Sequence, residues 1–292
     1  MGQARDQFLV ETDWLAEHLN DPDIRVVDVR GYVRTVDLGD GKQGATYVGA
    51  LEAYELGHIP NAVYIDWTKD IVDLNDPVAA QIAPPERFAE AMSLAGIGDA
   101  HLVVAYDAHP ASQFATRLWW ALNYYGHRRV VILNGGLPKW QREQRPLDTQ
   151  IPLYPPATFT TRVQPQLRAT AEDVLAFINE PDVRLVDARD SGQFTGKLVR
   201  GHARPGHIPG AVNVPREDLV AEDGTFRDNE HLQQVFTQAQ LSPDERVVAY
   251  CNGGVAATTV LFSLAMLGYT QLTNYDGSWN EWGERQDLPT EI

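Results

Sequence analysis

Gly206-His207-Ile208-Pro209-Gly210-Ala211-Val212 restates, late in the chain, the earlier phrase Gly57-His58-Ile59-Pro60-Asn61-Ala62-Val63. Three more phrases return in the same order. Val26-Val27-Asp28-Val29-Arg30 returns as Leu185-Val186-Asp187-Ala188-Arg189, and Val103-Val104-Ala105-Tyr106-Asp107 as Val247-Val248-Ala249-Tyr250-Cys251. Asn134-Gly135-Gly136-Leu137-Pro138-Lys139-Trp140 returns as Asp276-Gly277-Ser278-Trp279-Asn280-Glu281-Trp282. The separation shrinks from 159 residues (26 to 185) through 149 (57 to 206) and 144 (103 to 247) to 142 (134 to 276), as deletions in surface loops produce. Four matches in one order indicate a duplicated unit. A chain of 292 residues accommodates two such units, each able to bury its own core. The copies are expected at 1–145 and 169–292. The joining stretch 146–168 holds Pro146, Pro152, Pro155, Pro156 and Pro165, which exclude helix interior and central strand and predict an extended linker.

Within each copy, short β-branched runs alternate with helical patterns. Arg25 to Val29, Val103 to Tyr106, Val130 to Leu133, Val183 to Val186 and Arg246 to Tyr250 read as strands with apolar residues at consecutive positions, the signature of a parallel sheet buried on both faces. Thr12 to Leu19, Pro85 to Ala95, Ser112 to Tyr125, Thr170 to Ile178, Asn229 to Gln238 and Ala256 to Leu267 read as helices, with an N-cap pattern at Thr170-Ala171-Glu172-Asp173. The fold class is therefore α/β, each half an open parallel sheet with helices on both faces. Such sheets bind ligands at the carboxyl ends of their strands.

Composition narrows the function. The formal charge of −16, from 24 Lys plus Arg against 40 Asp plus Glu, argues against nucleic acid and anionic membranes as partners. An anionic substrate would need a local concentration of donors against that background. No apolar run approaches the roughly 18 residues of a membrane span. The opening Met1-Gly2-Gln3-Ala4-Arg5-Asp6 lacks the features of a secretory or myristoylation signal, so a cytoplasmic location is expected. A single cysteine, Cys251, excludes an intrachain disulfide and any multi-cysteine metal site, and fits a reducing compartment.

Cys251 directly follows an apolar strand and is followed by Asn252-Gly253-Gly254-Val255-Ala256, then a helical pattern. The glycines let successive N–H groups turn inward around one point at the positive end of a helix, so a thiol there is a nucleophile in an anion-binding cradle. The other copy carries Asp107 at the same position, which suggests a solvent-accessible strand end and a half that lacks the nucleophile.

On these residues the chain resembles the rhodanese family, in the two-domain form of thiosulfate and 3-mercaptopyruvate sulfurtransferases. Asp187 to Arg189, Gly206 to Ala211, the six-residue loop Cys251 to Ala256 and Tyr275 to Trp282 carry the likeness, which extends over nearly the whole chain. The resemblance implies two tandem rhodanese-like domains, the C-terminal one catalytic. It makes Cys251 the sulfur-accepting nucleophile and Asn252, Gly253, Gly254, Val255 and Ala256 its substrate-binding loop. Arg189 would hold the anionic end of the donor, with pairing to Asp187 as its other reading. Lys197 and Arg204 lie in the adjoining loop, whose counterpart in mercaptopyruvate enzymes supplies a second cation. His58 matches a histidine that faces the cleft in those enzymes, whereas His207 is expected to serve its turn. The mercaptopyruvate enzymes place a serine two residues after the cysteine; here that residue is Gly253, so no hydroxyl relay can run through it. Tyr32 and Trp67 are candidates for the cleft or the core.

The expected activity is transfer of sulfur from mercaptopyruvate or thiosulfate through a Cys251 persulfide to a thiophile such as cyanide, a thiol or a thioredoxin-like reductant. No metal or organic cofactor is expected. A cysteine phosphatase would need arginine at residue 257, which is Ala257. A noncatalytic interaction or carrier module is the remaining alternative. The small neutral loop favours mercaptopyruvate over the thiosulfate dianion.

Overall fold

Runs of Val, Ile and Leu at consecutive positions form the central strands of two sheets. The structure, a computed structural model, describes residues 5–40, 42–201 and 203–292. The first half runs β1 (Leu9–Val10), α1 (Thr12–His18), β2 (Ile24–Asp28), β3 (Gly31–Gly39), β4 (Lys42–Gly49), α2 (Leu51–Leu56), β5 (Val63–Tyr64), α3 (Pro85–Leu94), β6 (Leu102–Tyr106), α4 (Gln113–Tyr124), β7 (Val130–Leu133), α5 (Gly136–Arg142). The second runs β8 (Arg168–Ala169), α6 (Ala171–Phe177), β9 (Val183–Asp187), α7 (Ser191–Phe194), β10 (Val199–Arg200), β11 (Val212–Asn213), α8 (Asn229–Gln238), β12 (Arg246–Tyr250), α9 (Ala257–Met266), β13 (Leu272–Tyr275), α10 (Ser278–Trp282).

The sheet order β1-β7-β6-β2-β5 in the first half is repeated as β8-β13-β12-β9-β11 in the second, and every pair is parallel. Identical order in both copies places Asp107 and Cys251 at equivalent ends of the middle strands, β6 and β12. Thr170 caps α6 through a reciprocal pair with Asp173, as its sequence pattern predicts. Residues 146–164 run without helix or strand along the first half. They are fastened there by Ala157 N–H to Ser93 O (3.1 Å), Arg162 N–H to Tyr125 O (2.9 Å) and Gln164 N–H to Tyr124 O (2.7 Å).

Two features bind the halves together. One apolar core runs continuously through both, where α4 packs on α9 and Phe262 meets Phe8, Trp119 and Phe226. At its polar end Thr116 Oγ1 lies 2.9 Å from Thr258 Oγ1 and 3.2 Å from Thr259 Oγ1. The second feature was not expected from sequence. The β3–β4 hairpin leaves the first sheet and pairs in parallel with β10 of the second half, Lys42 opposite Val199 and Gln43 opposite Arg200. Among the described residues no helix is long and apolar enough to cross a membrane.

Candidate active site

Cys251 stands just past the carboxyl end of β12 and is 3% exposed. Its loop reverses direction at Gly254, whose φ of +69° is left-handed and whose Cβ would lie 2.7 Å from Asp276 O. Only glycine fits there. The turn is pinned by Ser278, itself at φ 51°, whose Oγ accepts the N–H groups of Cys251 (3.1 Å) and Gly254 (2.9 Å) and donates to Tyr275 O (2.7 Å). Trp279 and Asn280 N–H groups donate to the carbonyls of Cys251 (3.0 Å) and Asn252 (2.7 Å). With its outer face tied down in this way, the loop keeps the N–H groups of Asn252, Gly253, Val255, Ala256 and Ala257 without partners among the described residues. Together with the start of α9 they form a concave field of donors beside the thiol.

The first half holds the loop from behind. Arg117, fully buried on α4, donates from Nη1 to Gly254 O (3.1 Å) and pairs with Asp276 Oδ1 (2.6 Å). Ile82 N–H completes Asp276 Oδ2 at 2.8 Å. Arg168 Nε of the second half lies 3.3 Å from the same Oδ2, so the buried carboxylate is compensated from both halves.

In front of Cys251 opens a cleft of about 370 Å³ between the halves, lined among others by Tyr47, His109, Gln113, Asp190, Arg200 and Arg216. Arg200 and Arg216 bring positive charge to the cleft, Arg216 with its Nη2 also 2.7 Å from Glu217 Oε1. Arg200 Nη2 and Arg216 Nε are buried without hydrogen-bond partners among the described residues. His109 takes the Ala111 N–H on Nδ1 (3.0 Å), which leaves its proton on Nε2, and burial followed by the charge of Arg216 depresses its pKa to about 4. It is a neutral ring at physiological pH. Asn252 donates from Nδ2 to Gln193 Oε1 (2.9 Å), and its Oδ1 has no partner among the described residues.

Several expectations are corrected by this geometry. Arg189 is spent on Asp187, Nε at 3.0 Å from both carboxylate oxygens and Nη2 at 2.6 Å from Oδ2, with Nη2 also on Gly206 O (2.8 Å) and the guanidinium stacked 4.4 Å over Trp279. Arg30 makes the same bonds to Asp28 and Gly57 O in the half that has no cysteine, so the pair closes a turn in both copies. His58 is fully buried and stacked on Tyr54 at 4.0 Å, its nitrogens on Tyr54 O (2.8 Å) and Gln150 O (3.2 Å), away from the cleft. Lys197 is exposed outside the cleft. Arg204 donates to the carbonyls of Gly283, Leu288, Trp282 and Arg285 and clasps the C-terminal segment. The cation of that loop is Arg200. Asp107 is buried, not solvent-accessible: its carboxylate accepts the N–H groups of His109, Phe114 and Ala115, each at 2.8 Å, and burial still pushes its pKa up to about 7. Trp67 is core, Tyr32 is exposed, and His207 packs on Phe194 in its turn, as its sequence context suggests.

The sequence reading missed Tyr47, His109, Arg200, Arg216 and Ser278. The repeat held one usable signal: Ser278 aligns with Gly136, at φ 53°, so position 278 had to be left-handed. The others come from separate segments that only the packing of the two halves brings together.

A tandem α/β domain with a lone cysteine in an amide-lined strand–helix loop has close counterparts among known proteins. The Rhodanese-like domain profile matches residues 11–143 and 170–285. The sulfur carrier protein TtuD of Thermus thermophilus is 36% identical, covering 99% of this chain and 98% of its own. 3-Mercaptopyruvate sulfurtransferase of Escherichia coli K12 is 36% identical over 97% and 98% of the two chains. A putative thiosulfate sulfurtransferase of Mycolicibacterium smegmatis is 33% identical over 99% of each. The crystal structure of the E. coli 3-mercaptopyruvate sulfotransferase SseA aligns with a TM-score of 0.81 at 33% identity, covering 93% of this chain and 98% of that one. The chain belongs to the rhodanese family. Within it, the protein is an enzyme of the sulfurtransferase class with two tandem rhodanese-like domains.

Proposed function

We propose that Cys251 accepts a sulfane sulfur from a small anionic donor, 3-mercaptopyruvate first and thiosulfate second, and passes it as a persulfide to a thiophile such as cyanide or a thiol. The observation that carries this reading is a single cysteine beside five backbone donors without partners among the described residues, with two arginines lining the same cleft. The thiolate attacks the terminal sulfur of the donor, the bond from that sulfur to the remainder breaks, and sulfite or pyruvate leaves. The loop amides hold the charge of the persulfide, and Arg200 and Arg216 hold the anionic end of the donor. Two half-reactions on one residue predict ping-pong kinetics. In this reading residues 169–292 carry the nucleophile, and residues 1–145 supply Tyr47, His109 and Gln113 to the cleft. A cytoplasmic setting fits an unpaired thiol.

Mercaptopyruvate is preferred because every loop side chain from Asn252 to Ala256 is uncharged. The second reading, thiosulfate as the main donor, is favoured by the pair of arginines, which suits a compact dianion. Side-by-side kcat/KM for both donors decides between them, and a tenfold preference for thiosulfate would reverse the order. The class of reaction is tested by donor treatment and mass spectrometry: wild type should gain one sulfur on Cys251, and Cys251→Ser should gain none and turn nothing over. Turnover by the serine variant would reject the mechanism. A persulfide that forms but is discharged only to a protein acceptor would make the chain a carrier.

A further inference from the structure

Tyr47 reaches the cleft from β4, on a hairpin that belongs to the other half of the molecule. Its ring packs edge-on against Trp67 at 5.3 Å. Its oxygen accepts Asn280 Nδ2 at 3.1 Å, and the backbone N–H of Asn280 donates to Asn252 O at 2.7 Å, so the hydroxyl is fixed to the same loop that carries Cys251. A Cβ built on Gly253 would lie 2.9 Å from this oxygen, 3.0 Å from Asn280 Nδ2 and 3.5 Å from Ala80 Cβ. Gly253 does not occupy the left-handed region, unlike Gly254. A side chain at 253 would therefore have to displace the ends of the Tyr47 and Asn280 side chains without straining the backbone: the tyrosine oxygen fills the space that it would take. With one lone pair on Asn280, the hydroxyl hydrogen has no acceptor among the described residues, and burial raises the phenol's pKa, so the group remains a donor.

We propose that Tyr47 provides the side-chain hydroxyl of the sulfur-transfer site, donating a hydrogen bond to the leaving portion of the donor while Cys251 takes its sulfur. The proposal rests on the sulfur-transfer reading above. In the step it serves, a new S–S bond forms between Cys251 Sγ and the terminal sulfur. The bond from that sulfur to the rest of the donor breaks, and its electron pair departs with sulfite or with the enolate of pyruvate. For mercaptopyruvate the thiol proton ends on the methyl carbon of pyruvate, and the persulfide is left anionic with either donor. Tyr47 keeps its proton throughout and stabilises the oxygen on which the departing charge collects.

Moving the hydroxyl tests this. Tyr47→Phe should lower kcat/KM about 10- to 100-fold, chiefly through kcat, as expected for a hydrogen bond that strengthens in the transition state. Gly253→Ser should also impair the enzyme, because its Cβ meets the tyrosine oxygen. The double variant, with phenylalanine at 47 and serine at 253, removes that collision, places a hydroxyl in the same region and gives Asn280 an acceptor. Its activity should return to within roughly fivefold of wild type. Melting temperatures establish that each variant is folded, and the single-turnover rate of persulfide formation locates the loss in the first half-reaction. Tyr47→Phe within twofold of wild type, or a folded double variant no better than Tyr47→Phe, would overturn the proposal. If the double variant does not fold, Tyr47→Phe decides alone. Absence of any persulfide on wild-type Cys251 with either donor removes the sulfur-transfer reading itself and this role with it, whereas normal wild-type transfer with an unaffected phenylalanine variant removes only Tyr47.

Discussion

Replacing Ser278 by alanine deletes the one acceptor shared by the N–H groups of Cys251 and Gly254, at 3.1 and 2.9 Å, together with the donor to Tyr275 O at 2.7 Å. A buried amide left without a partner costs about 1–3 kcal/mol, so two of them cost about 2–6 kcal/mol. At about 2–4 °C per kcal/mol for domains of this size, the melting temperature should fall by roughly 5–15 °C. Ser278→Gly loses the same bonds but relieves the left-handed backbone at φ 51°, which for a residue with a Cβ is worth about 1–2 kcal/mol. The glycine variant should therefore melt a few degrees above the alanine variant. Both should form the Cys251 persulfide at least about tenfold more slowly, because the nucleophile is no longer held in register with the donor. Scanning calorimetry and single-turnover mass spectrometry on the same preparations measure the two effects. An alanine variant with wild-type melting and wild-type persulfide formation would refute the pinning role, and a glycine variant less stable than alanine would refute the backbone part of it.

Arg200→Ala and Arg216→Ala should each lower kcat/KM for thiosulfate about 10- to 100-fold, mainly through KM; unchanged kinetics would place the donor elsewhere. Arg189→Ala and Arg30→Ala should each cost about 3–5 kcal/mol of stability, measured by denaturant titration, since either leaves a buried carboxylate unpaired. A stable Arg189 variant with abolished turnover would restore its donor-binding role. Asp107→Asn should change turnover less than tenfold. Because burial raises the folded-state pKa of Asp107 to about 7 from an ordinary 3.8, its contribution to stability is largest below about pH 4 and is lost as pH rises through about 7. The stability of wild type relative to the asparagine variant should therefore decline between those limits and level off above them. His109→Gln should leave the shape of the pH–rate profile between about pH 6 and 9 unaltered, since a ring with a pKa near 4 is already neutral there.

The duplication, the parallel sheets and the nucleophile were legible because each is written in contiguous residues: consecutive apolar positions for the strands, and a cysteine, two glycines and a helix start for the loop. The cleft was not. Arg200 lies between the expected Lys197 and Arg204 in sequence and Arg216 follows them, but which arginine faces Cys251 depends on how β10 is pulled onto the hairpin, and that pairing joins residues far apart in the chain. The hairpin itself, Gly31–Gly49, lies mostly exposed and lacks the apolar alternation that would announce it. Arg189 shows the opposite case, its pairing with Asp187 being the reading the repeat favours. Its motif is strongly patterned, yet the pattern repeats at Arg30, and a feature shared with the half that lacks the cysteine speaks for architecture before chemistry.

The apolar core shared by both halves and the buried Arg117–Asp276 bridge hold the two lobes against each other. In the proposed reaction a persulfide on Cys251 would be reactive toward water and stray thiols. Shelter has to come from depth, and Cys251 is only 3% exposed at the floor of its cleft. Depth also filters acceptors by shape. Under the proposed sulfur transfer, a small acceptor such as cyanide would reach the sulfur more readily than a folded protein, which would have to bring its thiol on a narrow, protruding tip.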